Sequence, residues 1–196
     1  MIETSNISFP EKLLILVDEK DHVIGYEDRK KCHQGKGLLH RAFSILIFND
    51  QKQLLIQKRS AKKLLWPLYW SNSVCSHPRR GESYEKATMR RLKEELGFET
   101  PLRFLFKFQY QATFKDIGSE NEMCSVHIGK FNGIVQANQS EIAEWKYVDI
   151  EELNKDILTL PHLYTPWFKM EWEQIQRDYN ERNGRAKINP GRWEWA

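Results

Sequence analysis

Cysteine is scarce in this chain of 196 residues: Cys32, Cys75 and Cys124 are an odd set, too small for a disulfide scaffold. Free thiols are therefore expected, one of them available for chemistry. Long apolar runs are missing as well. Leu13–Val17 and Phe43–Phe48 fall far short of the ~18 residues that a bilayer-spanning helix needs. Glu3 and Glu11 stand where a secretory leader would carry its basic and apolar regions, so the cytoplasm is the expected compartment. Neither internal repeats nor low-complexity stretches occur. Charge of one sign is not in large excess either: 30 Lys and Arg against 27 Asp and Glu give +3, too mild to imply a nucleic-acid partner. What basic residues there are cluster at Arg29–Lys31, Lys58–Arg59 with Lys62–Lys63, Arg79–Arg80 and Arg90–Arg91, which suits either a small polyanion or a solvated surface. With 40% hydrophobic and 29% charged residues, a single packed domain remains.

Strand and turn signals predict a hairpin from Leu13–Val17 and Val23–Tyr26, and a second from Phe43–Phe48 and Gln53–Lys58 around Asn49–Lys52. Between Ser83 and Leu96 the residues Tyr84, Ala87, Thr88, Arg91, Leu92 and Glu95 recur at helical spacing, and Gly97 supplies a stop. The stripe mixes Arg91 and Glu95 with apolar residues, so part of that helix face is expected to point into a site. Phe104–Thr113, Met123–Phe131 and Trp145–Val148 read as strands. Asp149–Asp156, with Asp149 as N-cap, and Pro166–Arg182 read as helices. The class is α/β or α+β, with a loosely held tail from Asn183 to Ala196.

Three fragments carry chemistry. His33 and His40, with Gly35 and Gly37 between them, are expected in a mobile polar loop. Cys75-Ser76-His77-Pro78 follows Trp66 and Trp70 in a turn-rich stretch. Glu120 and Glu122, two apart, share one side of an extended chain. Each fragment alone has an ordinary structural reading. Jointly, three imidazoles and two carboxylates make a five-ligand set for Zn, Mn or Fe, and a cysteine beside such a set is suited to acid–base work.

The run SHPRRGESYEKATMRRLKEELGF, residues 76–98, resembles a degenerate Nudix box, with Glu82, Arg90, Leu92, Glu94, Glu95, Gly97 and Phe98 in place. Ser76 replaces the first glycine, and Arg91 replaces a glutamate that Nudix hydrolases use for metal. Together with Asn72–Pro78, His33, His40, Glu120–Glu122 and Thr165-Pro166-Trp167, the pattern is similar to the type I isopentenyl-diphosphate isomerases, from about Leu13 to Trp172. The resemblance implies a single Nudix-type α/β/α domain with a mixed sheet over residues 1–182, and interconversion of isopentenyl and dimethylallyl diphosphate. It implies Cys75 and Glu122 as the catalytic pair, Tyr110 assisting Glu122, and His33, His40, His77, Glu120 and Glu122 around one tightly bound divalent metal, Mn2+ or Zn2+. Glu95 and the main-chain carbonyl of Cys75 would hold a Mg2+ that arrives with the diphosphate. Arg59, Lys63 and Arg91 would bind its oxygens, with help from Arg29 or Lys30. The implied partner is a small prenyl diphosphate, without nucleic acid or membrane, and a monomer is the favoured state.

Reaction physics asks for the same parts. Protonating an unactivated alkene makes a tertiary carbocation, so the site must be dry, and an indole face such as that of Trp167 is the best neutral stabiliser. An acid and a base are both needed beside it. Hydrolysis of a diphosphate on the same scaffold and a metal-stabilised binding module are the competing readings; Arg91 speaks against the first.

Overall fold

The structure, a computed structural model, describes residues 13–183. Glu3, Glu11 and the tail after Asn183 lie outside the described residues. Strands β1 (Leu14–Val17) and β2 (Val23–Glu27) form the first expected hairpin. The next helical turn, α1 (Arg29–Cys32), has Asp28 as N-cap, its carboxylate accepting from the Lys30 amide. The second hairpin is formed by β3 (His40–Phe48) and β4 (Leu54–Arg59), which pair only at Ile47–Leu55 and Phe48–Leu54 before they part.

That parting shapes the site. The vacated edge of β3 is taken by β6 (Val74–Ser76) opposite Phe43–Ile45, and by β1 at His40, while β5 (Trp70–Ser71) adds to β4. The other edge of β3 carries β8 (Gly118–Lys130) in parallel, from His40 opposite Glu122 to Phe48 opposite Lys130. Antiparallel partners finish the sheet: β7 (Leu102–Phe114) along β8 and β9 (Ile142–Val148) along β4.

Because β3 is covered on both faces, its sequence is almost continuously apolar rather than alternating. Ala42, Leu46 and Phe48 pack with Val126, Ile128 and, from α4 (Pro166–Asn183), Trp167, Phe168 and Trp172; Leu153 of α3 (Ile150–Thr159) joins them. Phe43, Ile45 and Ile47 pack with Ala87, Leu92 and Leu96 of α2 (Tyr84–Leu96). Each such buried Leu or Ile contributes about 1.5–3 kcal/mol relative to exposure. The result is the expected three-layer α/β/α arrangement with a mixed sheet. α2 starts on the Ser83 hydroxyl, which accepts from the Lys86 amide, and stops at Gly97 with φ of 81°. A Cβ there would lie 2.7 Å from the Gln136 Cβ, so both backbone and space require glycine.

Two expectations are corrected. His33 caps α1 and is buried, and His40 opens β3 with 0% exposure, so neither belongs to a mobile loop. The reason is pairing: His40 lies opposite Leu16 on one side and Glu122 on the other. Strand β8 begins at Gly118, earlier than Met123, and so takes Glu120 and Glu122 into the sheet; β9 likewise begins at Ile142 rather than Trp145. Among the described residues no helix is long and apolar enough to cross a membrane.

Candidate active site

Five ligand-bearing side chains converge where β3 and β8 begin. One donor atom from each of His33, His40, His77, Glu120 and Glu122 lies within 4.8 Å of every other, and all five residues are buried. Register supplies His40 opposite Glu122, and the two-residue repeat of β8 puts Glu120 on the same face. His77 follows β6. His33 arrives because Gly118 lets the loop touch β8: a Cβ at Gly118 would meet the His33 carbonyl at 2.3 Å, and the Ser119 amide donates to that carbonyl at 3.0 Å.

Backbone carbonyls orient two of the rings. His33 Nδ1 donates to Arg29 at 2.6 Å and His40 Nδ1 donates to Leu38 at 2.7 Å. In a neutral ring this leaves Nε2 as a bare acceptor. Yet His33 Nε2 lies 2.7 Å from Glu120 Oε2, His77 Nε2 lies 2.8 Å from Glu122 Oε1, and His40 Nε2 lies 3.6 Å from that same oxygen. His77 Nε2 can donate to Glu122, but at His33 and His40 acceptors face acceptors, and His33 Nε2, His40 Nε2 and Glu120 Oε2 are buried without a hydrogen-bond donor. Only protons or a cation satisfy such a set. Three nitrogens and two carboxylates therefore fit a divalent transition ion. Burial lowers both His33 and His77, but the Glu120 hydrogen bond and charge leave His33 raised, whereas the His40 and His33 charges hold His77 further down, with Arg29 adding to the effect. Glu122 is pushed up by burial and more than pulled back by His40 and Tyr110, ending below the usual carboxylate value.

Glu122 also faces the other way. Its Oε2 accepts from the Tyr110 hydroxyl at 2.6 Å, and the Tyr110 ring lies 6.2 Å from Trp167, which is 2% exposed. Trp167 is fixed by its Nε1, which donates to Ser71 and Asn72 at 3.1 and 3.2 Å. The Arg59 guanidinium stacks over the indole at 5.0 Å and donates to the Cys75 sulfur at 3.6 Å, while its remaining nitrogens donate to the carbonyls of Trp66 and Leu65. Trp66 packs edge-on against Trp167 at 5.3 Å. A chain of contacts thus links Cys75, Arg59, Trp167, Tyr110 and Glu122 in an aromatic enclosure. Burial pushes the Cys75 thiol up to about 12, with Arg59 opposing and Glu95 and Glu122 reinforcing, so it carries its proton at neutral pH.

On the α2 side, Glu95 is 1% exposed and accepts from Arg91 at 2.6 and 3.1 Å and from Gln57 at 3.3 Å. A buried carboxylate beside the Cys75 strand suits a hard cation such as Mg2+. Arg91 also donates to Glu94 at 2.7 Å and lies 3.3 Å from Glu141, whose other oxygen holds the Lys63 ammonium. Glu82 and Arg90 of the box instead pair with each other at 2.7 and 2.8 Å, closing the loop that follows His77. Arg29 and Lys30 are exposed on α1.

Two residues escaped the sequence reading. Glu141 sits in a polar connection with no motif around it. Glu171 recurs on the buried α4 stripe one turn after Trp167, and that spacing was its only signal. It is 0% exposed, accepts from Ser44 and, at 3.9 Å, from Cys124, and burial pushes it up to about 8, with Ser44 opposing and Glu122 reinforcing.

The NUDIX domain family matches residues 38–168. An isopentenyl-diphosphate Delta-isomerase 1 from Photorhabdus laumondii is 40% identical over 172 residues, covering 86% of this chain and 97% of that protein. An isopentenyl-diphosphate Delta-isomerase from Serratia proteamaculans is 39% identical over 172 residues, covering 88% and 96%. Of solved structures, a Deinococcus radiodurans protein is similar with a TM-score of 0.69 at 24% identity, covering 83% of this chain and 98% of that one. A MutT protein from Methanosarcina mazei gives 0.59 at 18% identity, covering 71% and 94%. These two likenesses concern the fold alone.

Proposed function

The chain belongs to the isopentenyl-diphosphate Delta-isomerase family of NUDIX-domain proteins, and from that premise we propose that it interconverts isopentenyl and dimethylallyl diphosphate with Cys75 and Glu122 as its two proton-transfer groups. The observation that carries this reading is the double engagement of Glu122, one oxygen among imidazoles and the other on the Tyr110 hydroxyl beside Trp167.

In one direction a proton passes to the terminal alkene carbon, leaving a tertiary cation, and the opposite group takes a proton from the allylic carbon. In the reverse direction the two exchange roles. Cys75 carries a proton it can give, and Glu122 is ionised and can receive one. Tyr110 orients Glu122 and donates to it. Trp167, held by Ser71 and Asn72, offers its face to the cation, and Trp66 with Tyr110 keeps water away.

A divalent ion, Mn2+ or Zn2+, held by His33, His40, His77, Glu120 and Glu122 would supply positive charge that fixes Glu122 and lowers its basicity. Mg2+ held by Glu95 and the Cys75 carbonyl would offset the charge of the substrate diphosphate. Arg59, Lys63 and Arg91 bind the diphosphate oxygens with help from Arg29 or Lys30, so that remote binding energy positions the hydrocarbon. Lacking the replaced glutamate at Arg91, the α2 face is poorly equipped for hydrolysis.

The test is incubation with isopentenyl diphosphate and Mg2+ in heavy water, following labelled dimethylallyl diphosphate and released phosphate together. Deuterated isomer without phosphate is the expected result. Phosphate or diphosphate release without isomer would replace this reading with hydrolysis.

A further inference from the structure

No step above uses Glu141, although it is anchored as firmly as the residues that are used. Its amide donates to the Asn138 carbonyl and its own carbonyl accepts from the Ser60 amide, both at 2.9 Å. Its carboxylate sits between two cations, one oxygen on Lys63 and the other 3.3 Å from Arg91. Arg91 additionally carries Glu94 and Glu95 at 2.7 and 2.6 Å. Two groups assigned to the diphosphate are therefore already neutralised by three carboxylates. A bare diphosphate brought here meets more negative charge than positive, three carboxylates against two cations. It must displace Glu141 or lie against it. A diphosphate carrying Mg2+ brings a cation of its own for the carboxylates, and the repulsion is offset.

We infer that Glu141 makes the site select the Mg2+-complexed diphosphate over the bare anion, by holding Lys63 and Arg91 in opposed pairs that only a ligand bearing both charges exchanges without loss. Glu141 touches no reacting carbon; its role is in specificity. The inference rests on the assignment of Lys63 and Arg91 to the diphosphate under the proposed function.

Calorimetric titration of the metal-loaded full chain tests it, with inorganic diphosphate and isopentenyl diphosphate as separate probes, each in Mg2+-depleted buffer and with Mg2+. In the unaltered protein Mg2+ strengthens binding of both probes. In Glu141→Gln the Mg2+-free affinity rises and the strengthening by Mg2+ shrinks roughly tenfold. Glu144→Gln removes the same charge from β9, where Glu144 pairs with Lys58 at 3.6 Å, and keeps the original strengthening. Glu141→Ser gives a second comparison, and thermal melts establish that each variant is folded. Unchanged strengthening in the folded Glu141 variants overturns the inference, as does an equal change in Glu144→Gln. Equal weakening with and without Mg2+ reduces Glu141 to a prop for its two cations. If the unaltered protein isomerises and binds both probes, such results leave the proposed function standing; if it binds neither probe with Mg2+, both readings fall.

Discussion

The cluster of His33, His40, His77, Glu120 and Glu122 and the cluster of Lys63, Arg91, Glu95 and Glu141 both lie close to Cys75, and both are made of charged or chargeable groups largely withdrawn from water. In the first, the His33 and His40 ring nitrogens face carboxylate oxygens at 2.7 and 3.6 Å with no donor between them. In the second, each cation has a carboxylate within hydrogen-bonding or ion-pairing reach. An unpaired set of acceptors stores a deficit that a cation removes, so it holds that cation tightly. A paired set is content when empty and takes a ligand only by exchange, so it lets the ligand go. A site built to keep a metal and release a product would need one of each.

The largest expected effect breaks the first cluster at its shared member. Glu122→Gln keeps the volume but removes a ligand and the base together, and turnover falls at least a thousandfold, about 4 kcal/mol of barrier. Near-normal isomerisation by the folded variant would remove Glu122 from the mechanism. Metal removal comes next. Stripping the tight ion should lower the melting temperature by roughly 5–10 °C, reversed by Mn2+ or Zn2+, and His40→Ala should leave the protein with less than one ion per chain by elemental analysis. Lys63→Met, in the paired cluster, should change neither number; a parallel drop there would erase the contrast.

Glu171 sharpens the comparison as a buried acid that follows neither plan. Its folded value near 8 lies above the unfolded one, so the folded chain binds the extra proton and stability declines from about pH 4.5 up to about pH 8. Glu171→Gln should match the unaltered protein near pH 4 and become progressively more stable than it toward pH 8 in denaturant titrations. A gap independent of pH would mean that Glu171 is ionised throughout. The smallest effect concerns Trp167, between Arg59 and Tyr110. Trp167→Phe should retain about tenfold more turnover than Trp167→Ala, since a π face persists; equal losses would assign the indole to packing alone.

Much of this was legible in the sequence where local chemistry decides structure. The first hairpin, α2 with its Ser83 and Gly97 ends, and the start of α4 at Pro166 follow from turn, cap and periodicity signals that reside within a few neighbouring residues. His33, His40, His77, Glu120 and Glu122 were legible as a candidate five-ligand set from their residue types, and the structure brings all five together. What was not legible depends on distant partners. His40 reads as loop beside two glycines, yet it is strand because Leu16 and Glu122 bracket it. β6 is only three residues long and exists because β4 leaves the edge of β3. Glu141 has no meaning until Lys63 and Arg91 arrive from two other parts of the chain.

The parallel register of β3 on β8 carries one more consequence. Side chains alternate along a strand, so a slip of one residue in β8 would turn Glu120 and Glu122 toward the α2 side and leave three histidines facing Asn121 and Met123. A divalent ion held by all five residues would favour the native alignment, because a chain slipped by one residue keeps the imidazoles but loses both carboxylates. During refolding, tight metal capture should lag behind helix formation, and the ions retained per chain should count the molecules whose strands found their proper partners.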